Sequence, residues 1–89
     1  MIWGEEEVRI RVKRAVAATC DTTKIKDSDS LVLDLGFDSL KVASLAMNLE
    51  DELERTILLN DWIGQVPDPT QLSVGSLVEY IWQVLADEA

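Results

Sequence analysis

The sequence predicts an all-α fold: a small up-down helical bundle of three main helices plus one short helix, with a long ordered first loop. Three observations predict it. Apolar residues recur at three- and four-residue steps in three separate segments. The short apolar run Leu31-Val32-Leu33 has no second strand to pair with. The chain has 89 residues, 47% of them apolar, which is enough for a single domain spanning 1–89 and too apolar for a disordered chain.

In the first helix, Val8, Val12, Ala15, Val16 and Thr19 share a face, and Glu5-Glu6-Glu7 stand at the start, where the helix dipole favours acids. Residues 20–38 form the long loop. Leu31, Leu33, Leu35 and Phe37 alternate along it, so all four are expected to order it against the core. The second helix runs from about Ser39 to about Leu58. Asp68-Pro69 opens one short helical turn, with proline at the first position, where its missing N–H costs nothing. The last helix carries Val74, Leu77, Val78, Ile81 and Leu85 on one face, with Ser73 as N-cap and Leu72 and Leu77 as the hydrophobic staple.

Charge excludes several functions. There are 17 Asp and Glu against 8 Lys and Arg, a formal net charge of −9. Nucleic-acid binding requires the opposite sign, and so does attraction to an anionic membrane surface. Arg9, Arg11, Lys13 and Arg14 lie on the first helix, and from Asp27 onward only Lys41 and Arg55 oppose the acids. A surface of this kind suits partners with basic docking patches. With no His, the chain lacks the commonest general base and metal ligand, so an enzyme is not expected. Asp27-Ser28-Asp29-Ser30 opens like a calcium loop, but Val32 stands where that loop needs glycine. Cys20 is alone, which fits a structural thiol in a reducing compartment. Met1-Ile2-Trp3-Gly4 leads into three glutamates, the wrong charge for a signal peptide, and no apolar stretch is long enough to span a membrane. A cytoplasmic protein is expected, with no membrane insertion. Met1 and the short tails favour a free-standing protein, and a monomer is expected.

Leu35-Gly36-Phe37-Asp38-Ser39-Leu40 is the informative segment. Asp38 is placed to cap the second helix, Phe37 and Val42 take the staple positions, and Gly36 permits the tight turn before them. Ser39 then falls in the first turn, where unpaired N–H groups favour a phosphate ester on its hydroxyl; an ordinary capped helix is the plainer reading. With Val42 as zero, Leu45, Ala46, Leu49 and Leu53 lie within about 60°, the core stripe. Leu40, Ala43 and Met47 fall at about 100–160°, and Glu50, Asp51 and Glu54 continue that second face at about 80–180°. An apolar strip beginning beside Ser39 and ending in carboxylates reads as a docking surface.

Leu33-Asp34-Leu35-Gly36-Phe37-Asp38-Ser39-Leu40, followed by Leu45 and Leu49-Glu50-Asp51-Glu52-Leu53, resembles an acyl carrier protein. The helix order, long first loop, acidic balance and length extend the resemblance over almost the whole chain. It implies a covalent 4′-phosphopantetheine arm on Ser39, beside Asp38, transferred from coenzyme A by a phosphopantetheinyl transferase. It further implies acyl groups held as thioesters and presented to the acyl-loading and acyl-processing enzymes of fatty-acid, polyketide or related biosynthesis. Leu40, Met47, Glu50 and Asp51 are the docking positions carried over. Lys41 and Ser44 depart from the acidic residues common in fatty-acid carriers. Ile57-Leu58-Leu59-Asn60-Asp61-Trp62-Ile63-Gly64 departs too, being unusually apolar for a connector. That connector is expected to act as a lid over a cargo cavity walled by Leu49, Leu53, Val74, Leu77, Ile57, Leu59 and Trp62. Two alternatives stay open: an unmodified helical adaptor acting only by docking, and an aminoacyl or peptidyl carrier, from whose usual Gly-Gly-His approach the Gly-Phe-Asp here departs.

Overall fold

A computed structural model describes residues 4–22 and 24–87. Met1-Ile2-Trp3 and the outer bounds of the 1–89 domain lie outside them. Helix α1 spans Glu5–Cys20, α2 Ser39–Leu53, α3 Leu59–Gly64 and α4 Val74–Asp87, with a 3-10 turn at Pro69–Gln71. The three long helices form the expected small bundle, and among the described residues there is no strand, only an isolated bridge between Ser30 and Ser73.

The predicted stripes are the core. Val8, Val12, Ala15 and Val16 of α1 meet Leu45, Leu49 and Leu53 of α2 and Val74, Leu77, Val78, Ile81 and Leu85 of α4, all buried. The α1 cations pair across to other elements. Arg9 and Lys13 both hold Asp27 of the loop, and Arg14 pairs with Glu52 of α2. Arg11 donates to the Glu52 carbonyl at 2.8 Å. These cations are thereby engaged in pairs that tie α1 to the loop and to α2.

Ser73 caps α4 as expected: its Oγ accepts from the Ser76 N–H at 3.2 Å, while Ser76 Oγ accepts from the Ser73 N–H at 2.8 Å. The loop is sewn to this cap. Leu31 N–H donates to Leu72 O, Val74 N–H to Asp29 O, and Gly75 N–H to Asp27 O, at 2.8–3.0 Å. A side chain at Gly75 would bring a Cβ to 3.2 Å from that same Asp27 carbonyl, so the close approach uses glycine.

Two expectations need correction. Leu33 does not face the core: it is 70% exposed, whereas Leu31 and Phe37 are buried and Leu35 is half-buried. Alternation requires extended backbone, and here the chain coils, with the N–H groups of Asp34 and Leu35 both bonded to Ser30 O. Helix α2 stops at Leu53, short of Leu58. Glu54 takes a left-handed conformation (φ 55°), and its N–H closes on Glu50 O at 2.8 Å. That conformation costs about 1–2 kcal/mol. The turn returns Ile57 and Leu59 to the core, and burial of each contributes about 1.5–3 kcal/mol. The apolar connector is itself helical over Leu59–Gly64, burying Leu59 and Trp62 one turn apart.

Candidate functional site

The loop delivers the chain into α2 through two local devices. Gly36 adopts φ +66°, a conformation that glycine enters without steric cost. Asp38 follows in extended backbone, and its carboxylate accepts a hydrogen bond from the Lys41 N–H at 2.9 Å, while its carbonyl accepts from Val42. Phe37 is buried beneath the turn. Ser39 is thereby the first residue of α2, and it is exposed. Its own N–H and that of Leu40 have no acceptor within the helix, so the hydroxyl stands at the positive end of the dipole.

Beside Ser39 lies a cavity of about 280 Å³. Leu31, Val32 and Phe37 wall it from the loop, Val42 and Leu45 from α2, Leu59, Trp62 and Ile63 from α3, and Leu72 from the segment before α4. Its polar lining residues are Asp38, Ser39 and Asn60. Leu59 and Trp62 are therefore walls as expected. Leu49, Leu53, Val74 and Leu77 are not, being sealed in the core at 0–1% exposure. Ile57 lies instead in a second groove of about 260 Å³, shared by Ala43 and Ala46 of α2 and by Leu58 and Asp61.

The second face of α2 is where the wheel put it. Leu40 is 80% exposed and Met47 68%, and Glu50 and Asp51 are exposed below them. Glu50 stands eleven residues beyond Ser39, about 16 Å along the axis. Sequence reasoning missed two exposed apolar neighbours, Leu33 and Leu58 at 58%; both depended on turns that periodicity does not reveal. Cys20 is half-buried, and burial pushes its thiol up against the opposing charge of Lys41.

A family model described as the phosphopantetheine attachment site matches residues 11–81. The chain belongs to this family. It is the carrier protein family that includes the acyl carrier proteins. No curated protein matches the chain. Carriers of this family bear a covalently attached 4′-phosphopantetheine group and interact with phosphopantetheinyl transferase and with biosynthetic enzymes. The geometry fits that group: an exposed first-turn hydroxyl, helix N–H groups without acceptors beside it, and an adjoining apolar cavity. Among the described residues of this carrier, no helix is long and apolar enough to cross a membrane.

Proposed function

We propose that Ser39 bears the phosphopantetheine arm and that this carrier holds apolar acyl groups and presents them to other enzymes. The observation that carries the proposal is the exposed Ser39 hydroxyl on the rim of an apolar cavity. The arm supplies a terminal thiol on which acyl groups ride as thioesters. Everything else falls to the chain. Asp38 caps α2 and so sets the serine at the helix end, whose N–H groups favour the negative charge of a phosphodiester. The cavity excludes water from an apolar cargo, at about 0.8 kcal/mol for each methylene buried. That lining, apolar apart from Asp38, Ser39 and Asn60, supports an apolar acyl cargo.

Ser39 is not a catalytic nucleophile on this reading, because no described residue is placed as its base. Its hydroxyl is activated in the site of the phosphopantetheinyl transferase. Leu40 and Met47 supply the apolar contact for that transferase and for acyl-loading and acyl-processing enzymes, while Glu50 and Asp51 attract their basic patches. The lone half-buried thiol supports a cytoplasmic setting. Incubation with coenzyme A and a phosphopantetheinyl transferase tests the proposal by intact mass. A gain of one phosphopantetheinyl group is expected; an unchanged mass would leave an adaptor that acts by docking alone.

A further inference from the structure

Helix α3 is a wall of the cavity, yet it is slightly built. It has six residues, its N-cap Leu58 makes no side-chain capping bond, and it reaches the core through Leu59 and Trp62. Helix α4 behind it is the opposite, with Leu77, Val78 and Ile81 at 0–1% exposure. Tyr80 of α4 touches α3 and its N-cap residue. Its ring stacks on Trp62 with centroids 5.4 Å apart and planes inclined by 18°. Its hydroxyl donates to the Leu58 carbonyl at 3.4 Å, where the Trp62 N–H also ends.

Trp62 is at once a cavity wall and the stacking partner, so α3 cannot swing off the cavity without giving up the stack. We propose that Tyr80 is a positioning residue that latches α3 over the cavity and so sets how readily a bound acyl group comes out. The proposal rests on the carrier function given above. The ring carries most of the latch, since 3.4 Å is long for an O–H···O bond and the hydroxyl adds little. Burial and the neighbouring Asp61 carboxylate push the hydroxyl up from its ordinary value.

Tyr80→Leu removes ring and hydroxyl; Tyr80→Phe removes the hydroxyl alone and keeps the stack. In the unmodified protein, Tyr80→Leu is expected to speed hydrogen exchange of the Trp62, Gln65 and Val66 amides by about threefold to tenfold, the range a stacked aromatic pair implies. The α1 and α2 amides should not change, and Tyr80→Phe should stay near wild type. In the octanoyl-loaded protein, the same leucine variant should lose its thioester to hydroxylamine faster by a similar factor, while the acetyl-loaded forms react alike. Exchange at α3 equal to wild type would overturn the latch. Faster exchange with an unchanged octanoyl-to-acetyl ratio would overturn its hold on cargo. A wild-type protein that never takes the arm would instead overturn the carrier function, and the exchange of the unmodified forms would still decide the latch.

Discussion

The Asp38 carboxylate accepts the Lys41 amide hydrogen bond at 2.9 Å, and Ser39 stands inside the turn that this bond closes. One contact therefore starts the helix and fixes the position of the hydroxyl. Asp38→Ala should cost about 1 kcal/mol of stability, lowering Tm by about 4–8 °C in a domain of this size. Asp38→Asn, which keeps an accepting oxygen, should lose much less. Thermal melts of the three proteins check this. Equal losses for Ala and Asn would mean the cap is not what the carboxylate supplies.

Acids on α2 divide by what they face. Glu50 and Asp51 are exposed, whereas Glu52 is turned to Arg11 and Arg14 of α1 with its side chain 21% exposed. Glu50→Lys with Asp51→Lys should slow modification by the transferase and flatten its dependence on salt, because rim charges act mainly on association rate. Met47→Ala should weaken the complex and leave the salt slope as it is. Glu52→Gln should lower stability by less than about 1 kcal/mol, the range of exposed pairs, and leave docking kinetics alone. Stopped-flow kinetics at several ionic strengths separate these cases. Identical kinetics in all four proteins would make this face a merely solvated one.

Much of this site was legible in the sequence. The cap at Asp38 and the α2 wheel needed nothing beyond residue types and a 3.6-residue period, and Leu45, Leu49, Leu40 and Met47 fell where they were expected; an arm on Ser39 came from the resemblance alone, since Asp38-Ser39 by itself reads as an ordinary capped helix. The cavity walls were less legible. Among those that were missed are Val32, Phe37 and Ile63, residues of a coiled loop and a six-residue helix, elements too short for a period to declare itself. The early stop of α2 was hidden for a related reason: a left-handed Glu54 has no sequence signature of the kind glycine provides.

Asp27 ties the loop to α1, and this tie should depend on pH. The hydrogen bond from Lys13, aided by the charges of Lys13 and Arg9 and opposed by burial, holds the Asp27 carboxyl below the usual carboxylate range. A folded value below the unfolded one contributes stability at neutral pH, which is lost as pH falls through the folded value. The gap in urea midpoint between wild type and Asp27→Asn should therefore hold steady from about pH 8 to about pH 6 and narrow from about pH 4 downward. A gap that stays constant to the lowest pH would show that the charge of Asp27 contributes nothing.

Cargo burial should appear as a stabilisation that grows with chain length. Each methylene that enters the cavity favours the folded state, so Tm should rise from the bare arm through medium acyl lengths and level off once the cavity is full. Trp62, a wall of the cavity, should shift its fluorescence in step, read in a protein whose Trp3 and Trp82 are replaced by Phe. A Tm that is flat with length would leave the cargo in solvent while the carrier function stands.

The central claim is that Ser39 is the single point of attachment. Wild type and Ser39→Ala, each incubated with coenzyme A and a phosphopantetheinyl transferase, are compared by intact mass and peptide mapping. Wild type should gain one phosphopantetheinyl group on the peptide containing Ser39. The variant should gain none and should melt close to wild type, because an exposed first-turn hydroxyl makes few contacts. A variant that still takes the group, on any other serine, would contradict the assignment.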